Sequence, residues 1–214
     1  MNGAESRWPP ALAIVLVLFL LATLPGHVTA LPVWVSYAAA LAVLVPMAAV
    51  GLAAKNTLWL GIERKMTILL GGAYVANTIA ELADMIGLIT IHPSGNNAFS
   101  LLSSSVAIWL ANVVTFSLLY WQIDGGGPIV RASHLNVKPD WVFAQPATPE
   151  DLPPDWRPFF LDYLYLGYNT ATAFSPTDAL PLTRRAKMLM MTESTISLLT
   201  MVIILSRAIN IIPS

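Results

Sequence analysis

Five runs of apolar residues divide the chain, and polar residues, prolines and glycines separate them. The runs cover about 8–24, 33–54, 66–91, 101–121 and 186–212. A helix that spans a membrane needs roughly 20 mainly apolar residues, and each run is close to that length. The pattern therefore predicts an all-α fold, a polytopic membrane helical bundle with about five transmembrane helices.

The composition points the same way. Hydrophobic residues make up 56% of the 214 residues, charged residues only 11%, and the mean hydropathy is +0.67. A soluble domain carries about 25% charged residues, so lipid must cover most of this exterior. The lipid bilayer is therefore an expected partner, and a net charge of −1 argues against a nucleic-acid partner.

Catalytic chemistry has little support in the sequence. The chain has no cysteine, and its three histidines are scattered near the ends of the apolar runs. Motifs of zinc proteases, phosphate-binding loops and serine hydrolases are absent. We therefore expect no metal, no cofactor and no enzymatic activity.

The chain divides into three regions. Residues 1–122 hold the first four predicted helices, 123–158 form a linker rich in proline and glycine, and 159–214 hold a short amphipathic segment and the last helix. Prolines and glycines at this density break helices and strands, which predicts that the linker is an irregular surface connection. Residues 1–30 also fit a cleaved signal peptide. A retained first helix is favoured because the next apolar run follows almost at once.

Three polar side chains interrupt the third apolar run. Asn77, Glu81 and Asp84 are four and three residues apart, which places them on one helical face. A charged group facing lipid is costly, so this face should point into the bundle or toward water. Three interpretations remain open: cation binding or proton relay, structural pairing with other helices, and carboxyls that are protonated by burial.

The last two apolar runs also carry polar groups. Glu193, Ser197 and Thr200 share one face of the last helix, and Asn112 and Thr115 lie on the fourth. We expect these groups to bond to the acidic face of the third helix.

A short segment before the last helix is the best indication of function. Residues 159–172 are amphipathic and too short to span a membrane, and Pro176 then prevents a helix from continuing. Thr183 is a predicted N-cap of the last helix. A short helix, an irregular return and a long helix together predict a re-entrant hairpin.

This order resembles the pore-loop module of the potassium-channel superfamily. Residues 172–178 read Thr-Ala-Phe-Ser-Pro-Thr-Asp, and Pro181, Thr183, Lys187 and Glu193 follow at the spacing of that module. The resemblance implies a cation channel assembled from several copies of the chain, four by analogy with that superfamily. It also implies that the pore is lined by the following residues: Thr170, Thr172, Ser175, Thr177 and Asp178.

The segment departs from the potassium-channel pattern at three positions. Ser175 and Thr177 replace the glycines of the filter, and Pro176 replaces the tyrosine. Proline fixes φ and lacks a donor, so a column of carbonyls aimed at the ion is not expected. The resemblance therefore implies a filter that is not selective for potassium and that passes monovalent cations with weak selectivity.

The whole chain is also similar to a family of uncharacterised bacterial inner-membrane proteins, known as domain of unknown function 1345. The similarity lies in the number of helices and in the segment from Phe160-Leu-Asp-Tyr to Thr-Ala-Phe-Ser-Pro-Thr-Asp178. It implies a multi-pass protein of the bacterial inner membrane and names no activity.

The distribution of basic residues predicts the orientation. If five helices span, one side holds 10 of the 11 basic residues, and Arg207 alone lies on the other. The positive-inside rule then places the amino terminus and the linker in the cytoplasm. A potassium-channel pore loop enters from outside, so either the hairpin is inverted, the number of helices differs, or the charge rule does not apply here.

Two other functions remain open. The chain could be a non-conducting scaffold or partner subunit, or a proton- or cation-coupled transporter that uses Glu81 and Asp84. An intramembrane enzyme is weakly supported, because no activating histidine accompanies these carboxylates.

Overall fold

The computed structural model describes residues 5–23, 33–52, 57–91, 98–133, 137–144, 156–172 and 179–211. These residues form seven α-helices, one 3-10 turn and two short strands. In chain order the elements are α1 (Trp8–Thr23), α2 (Val33–Leu52), α3 (Thr57–Ile91), α4 (Ala98–Ile123), the 3-10 turn (Asp124–Gly126), α5 (Pro128–Ala132), β1 (Trp141–Phe143), α6 (Phe160–Thr172), β2 (Ala179–Pro181) and α7 (Arg184–Ile211).

The predicted all-α class is confirmed, and most helix boundaries lie close to the predicted ones. The exception is α3, which begins at Thr57 rather than near residue 66. Its first turns contain the charged run Glu63-Arg64-Lys65, which was assigned to a connection. Glutamate, arginine and lysine are good helix formers, so a charged run can extend an apolar helix.

Two helical stretches among the described residues are long and apolar enough to cross a membrane, namely Ser105–Gly126 and Arg184–Ser206. The apolar stretches Trp8–Phe19 and Tyr37–Gly51 are shorter. By length and composition, these two stretches are compatible with a membrane location. The core helix of a soluble protein passes the same test.

Helix α4 is the centre of the molecule. It packs against α1, α3, α6 and α7. Every residue from Ala111 to Gln122 is buried, including Phe116, Tyr120 and Trp121. The other helices therefore surround α4, and their outer faces form the surface.

The outer surface is apolar over several helices. Large hydrophobic side chains are exposed along α1, α2 and α7, among them Leu12, Phe19, Trp34, Leu41, Met191, Leu198 and Leu205. Polar side chains such as Asn112, Ser117 and Glu193 are instead buried between helices. The interior thus combines a hydrophobic core with buried polar groups, and the exposed apolar side chains form a surface suited to contact with protein or lipid.

Helices α6 and α7 begin at the same end of α4 and run side by side. The Phe160 ring meets that of Trp121 near the end of α4, with centroids 6.0 Å apart. Further along, the Ser194 hydroxyl donates to the Thr170 carbonyl at 3.2 Å. The chain thus leaves α6 beside the middle of α7.

The two strands lie where α7 begins. They pair antiparallel, with Trp141 opposite Pro181 and Phe143 opposite Ala179. The chain therefore rejoins the described structure at the end where α6 started. Residues 173–178, which connect α6 to β2, lie outside the described part.

The predicted irregular surface linker is wrong for the described parts of residues 123–158. Gly125, Gly126 and Gly127 adopt positive φ values of 55°, 85° and 100°, which glycine tolerates and which turn the chain sharply after α4. Asp140 and Trp141 are then buried against the bundle. Side-chain hydrogen bonds explain why a segment rich in proline and glycine is ordered here.

Gly167 marks the closest approach between α6 and α4. A Cβ atom there would overlap the Ser117 hydroxyl and lie 3.1 Å from the Val113 carbonyl oxygen. Gly72 of α3 offers a matched control, because nothing lies within 4 Å of the corresponding position.

We expect Gly167→Ala to destabilise the protein by about 1–3 kcal/mol, because the backbone carbonyl of α4 cannot move aside as a side chain can. Gly72→Ala should be neutral or stabilising, since alanine is the better helix former. Thermal unfolding of both variants in detergent measures the difference. Equal stability of the two would contradict the close contact.

Candidate functional site

Polar groups are buried at two levels of the helix bundle. The first level, here called the end cluster, lies where α4 ends and α6 and α7 begin. It comprises Glu5, Arg7, Glu63, Asp124, Arg131, Asp140, Tyr163, Thr183 and Arg185. The second level, here called the core site, lies deeper between α4, α6 and α7. It comprises Asn112, Tyr120, Thr170, Glu193 and Ser197.

Asp140 is the most fully bonded carboxylate of the end cluster. Arg185 donates to both of its oxygens, from Nε to Oδ1 and from Nη2 to Oδ2, each at 2.6 Å. The Thr183 hydroxyl donates to Oδ1 at 2.6 Å, and the Gly125 N–H donates to Oδ2 at 3.3 Å. This carboxylate therefore ties the first turn of α7 to the turn after α4.

The prediction that Thr183 is the N-cap of α7 is confirmed. Its Oγ1 accepts a hydrogen bond from the Ala186 N–H at 3.2 Å. One hydroxyl thus caps α7 and donates to Asp140, so the start of α7 is held to the linker.

Asp124 supplies a second connection. Its Oδ1 accepts from the Asp140 N–H at 2.6 Å and from the Trp141 N–H at 3.3 Å. Its Oδ2 accepts from the Tyr163 hydroxyl at 2.6 Å. Asp124 therefore joins the end of α4, the linker and the first turn of α6.

Glu5 brings the segment before α1 into the end cluster. Its Oε1 accepts from the Trp121 indole N–H and from the Phe160 N–H, both at 2.8 Å. The second bond satisfies a free N–H at the start of α6, where a negative charge is also favourable. The Arg131 guanidinium lies 3.7 Å from Oε2.

Arg7 and Glu63 form the remaining ion pair, with Arg7 Nε 3.3 Å from Glu63 Oε1. Arg7 also lies over the Trp121 ring, 5.5 Å from its centroid. Both partners are buried. The charged extension of α3 is thus held against the segment before α1.

Burial and pairing shift the pKa values in opposite directions within the end cluster. Burial raises the pKa of Glu5 and of Glu63, although Arg131 and Arg7 respectively oppose the shift. Burial would also raise the pKa of Asp140, but hydrogen bonds from Arg185 and Thr183 outweigh it and lower that pKa. Asp140 is therefore held in its charged form more firmly than Glu5 or Glu63.

The core site centres on Glu193 and Tyr120, which are both fully buried. The Tyr120 hydroxyl donates a hydrogen bond to Glu193 Oε2. Thr170 of α6 lies beside this part of α7, because its carbonyl accepts from the Ser194 hydroxyl at 3.2 Å. One turn deeper, Asn112 Nδ2 donates to Ser197 Oγ at 3.0 Å.

The structure brings two of the predicted site residues together. Thr170 and Glu193 both lie in the core site, as described above. The Thr172 hydroxyl donates to the Tyr168 carbonyl of its own helix at 2.9 Å. Ser175, Thr177 and Asp178 lie outside the described residues.

The structure describes the backbone of α3 throughout the stretch that contains Asn77, Glu81 and Asp84. Asn77 is half-buried in α3, whereas the side chains of Glu81 and Asp84 lie outside the described part. The expected bonds from α4 and α7 to the acidic face of α3 are replaced, for Asn112, Ser197 and Glu193, by bonds between α4 and α7. The reason is that α4 and α7 pack against each other along much of their length.

The sequence patterns do not predict most of the end cluster. Asp124 and Asp140 fall in the predicted irregular linker, Glu63 falls in the connection expected before the third helix, and no pattern singles out Glu5. The available signal was the low charge content of 11%, which makes each carboxylate beside an apolar run a candidate for burial. Asp124, directly before three glycines, was the strongest case.

Within the described ranges no group of three histidine, cysteine or carboxylate residues could hold a metal ion. Comparisons with protein families, with curated proteins and with solved structures found no match to this chain. The geometry of the two polar levels is therefore the basis for a functional proposal.

The lowered pKa of Asp140 predicts how stability depends on pH. Its pairing stabilises the fold above the ordinary pKa of 3.8, and this contribution is lost as pH falls through the lower pKa of the folded state. We expect Asp140→Asn to cost about 2 kcal/mol near neutral pH, since hydrogen bonds to a charged group are lost. Its unfolding temperature should approach that of the wild type in acid.

Unfolding temperatures of the wild type and the variant, measured in detergent across this pH range, test the expectation. Asp162→Asn is the control, because Asp162 accepts only the Phe159 N–H at the start of α6 and asparagine keeps an acceptor. A difference between wild type and Asp140→Asn that does not change with pH would contradict the role given to the charge.

Proposed function

We propose that the chain is a multi-pass protein of the bacterial inner membrane, with five spanning helices and a half-length helix, α6, that enters the membrane and turns back before α7. The apolar outer faces of α1, α2 and α7 support this proposal. The buried polar groups between the helices support it as well, because lipid cannot satisfy them.

The observation that carries the proposal is the position of α6 between α4 and α7. Its 13 residues extend about 20 Å, which is too short to cross a membrane. It packs directly on α4 at Gly167, and its start lies beside the start of α7. A half-length helix packed against two long apolar helices resembles the arrangement of a pore-loop module.

From this arrangement we propose that several copies assemble into a cation channel. The outward face of α6 exposes Leu161, Tyr165 and Tyr168, and aromatic side chains of this kind are common where protein subunits meet. A homo-oligomer, a tetramer by resemblance, would enclose a pore for monovalent cations.

Two of the predicted pore-lining hydroxyls already form hydrogen bonds within α6. Thr170 and Thr172 both donate to carbonyls of their own helix. The lining of the proposed pore therefore comes mainly from Ser175, Thr177 and Asp178. Serine, threonine and aspartate oxygens without a glycine-built carbonyl column favour weak selectivity among cations.

The buried position of Glu5 supports a retained first helix over a cleaved signal peptide. Removal of this segment would leave the Trp121 indole and the Phe160 N–H without their acceptor. Loss of a buried acceptor is costly, so we propose that residues 5–23 belong to the folded protein.

The proposed topology predicts which positions share one side of the membrane. The chain lacks cysteine, so single cysteines report accessibility without a background. We expect cysteines at the exposed positions Leu58, Ser133 and Leu182 to react with a membrane-impermeant thiol reagent from the cytoplasmic side, and one at Ser206 from the opposite side. Labelling of inverted and right-side-out vesicles measures this.

Labelling of Leu182→Cys and Ser133→Cys from opposite sides would contradict the return of the chain before α7. Labelling of all four positions from one side would contradict a spanning α7.

Conduction is tested by cation flux into liposomes that contain the purified protein. We expect Asp178→Asn to lower the flux about tenfold, which corresponds to about 1.4 kcal/mol of lost attraction for the cation. Asp162→Asn, which removes a charge at the other end of the hairpin, should leave the flux unchanged.

The remaining outcomes separate the alternatives. No flux in the wild type would favour a non-conducting scaffold or partner subunit. Coupled uptake that is lost in Glu81→Gln and Asp84→Asn but kept in Asp178→Asn would favour a proton- or cation-coupled transporter. Equal flux in the wild type and in Asp178→Asn would contradict the proposal that this carboxylate lines the pore.

A further inference from the structure

Glu193 is a buried carboxyl with an incomplete set of partners. It has no exposed surface and faces the contact between α4 and α6. Oε2 shares a hydrogen bond with the Tyr120 hydroxyl, whereas Oε1 has no hydrogen-bond partner. The ion pairs found among the described residues use Arg7, Arg131 and Arg185 with other carboxylates.

The surroundings of Glu193 contain little that could balance a negative charge. Among the described side chains, α4 presents Tyr120 as its titratable group, and α6 presents the uncharged Gly167 and Thr170. Helix α3 also touches α7, but the side chains of its Glu81 and Asp84 lie outside the described part. β2 carries no titratable residue.

The hydrogen bonds of the carboxyl favour a neutral acid. The Tyr120 hydroxyl donates to Glu193 Oε2, so this oxygen has a partner. Oε1 has no donor among the described residues, and a negative charge shared by this oxygen would lie inside the bundle without compensation. A proton on Oε1 removes that charge and leaves the bond from Tyr120 in place.

An ionised Glu193 would leave a charge on Oε1 beneath α6. A Cβ atom built on Gly167 would lie 3.4 Å from this oxygen, so the backbone of α6 passes close to it. A charged Oε1 would need water as a donor, and α6 occupies the space beside it. A buried charge without a partner is strongly unfavourable.

We propose that Glu193 is a proton-binding site, occupied near neutral pH, and that its bound proton holds α6 in place between α4 and α7. Loss of the proton and displacement of α6 are then one linked event, because hydration of the carboxylate requires α6 to move. This inference does not depend on conduction by the protein.

Infrared spectroscopy of the full-length protein in lipid nanodiscs tests protonation directly. We expect the carbonyl band of a neutral carboxyl near neutral pH, and we expect Glu193→Gln to remove the part of its intensity that comes from Glu193. Asp162→Asn should keep the band. Tyr120→Phe should keep the band at a shifted frequency, since the carboxyl loses its hydrogen-bond partner.

A second measurement follows the position of α6. A spin label on Tyr165→Cys, on the exposed face of α6, reports its distance from a second label on Leu198→Cys of α7. From about pH 6 to about pH 9 we expect this distance to change in the otherwise native protein and to stay constant in Glu193→Gln, whose neutral amide replaces the protonated acid.

The proposal would be overturned by the absence of a neutral-carboxyl band, or by a band whose intensity is the same in the native protein and in Glu193→Gln. A band that disappears with rising pH while the label distance stays constant would overturn the coupling to α6. Loss of flux in Asp178→Asn, or its absence altogether, changes neither measurement, so this proposal and the proposed conduction can fail separately.

Discussion

The structure depends on the burial of two carboxylates, Asp124 and Asp140, at the end of α4. Asp140 holds the first turn of α7, and Asp124 holds the linker and the first turn of α6. Neither residue could be buried alone, because an unpaired carboxylate is costly away from water. Their donors come from α6, from α7, from the linker and from the turn after α4, so α4, α6 and α7 must meet at this end for both charges to be satisfied.

That requirement explains how α6 lies against α7 and α4. Since α6 and α7 start from the same place, a helix of 13 residues lies beside a helix of 28, and the shorter one ends beside the middle of the longer one. Gly167 then allows α6 to approach α4 closely enough to cover Glu193. The end cluster therefore determines the direction of α6, and the core site determines how deeply it is seated. The proposed cation pathway and the proposed proton-binding residue both rest on one half-length helix packed against two long ones.

Much of the secondary structure could be predicted from the sequence. Long apolar runs predicted α1, α2, α4 and α7 with small errors at their ends, because apolar length is a property of consecutive residues. The amphipathic segment that became α6 and the N-cap Thr183 were also predicted from local patterns. The linker was predicted wrongly because proline and glycine content reports local flexibility and says nothing about Asp124, whose bonds connect residues far apart in the chain.

The sequence by itself determined that the protein is helical, that its surface is apolar, and that a break must follow the short helix before α7. These features follow from composition, apolar length and the fixed φ of proline, which act within a few residues. Only the tertiary structure decided that Glu5 contacts the start of α6, that Glu193 pairs with Tyr120, and that Asn112 pairs with Ser197. Those pairs are separated by 155, 73 and 85 residues. A buried polar group is satisfied by whichever partner the packed helices bring within about 3 Å, and no local pattern specifies that partner.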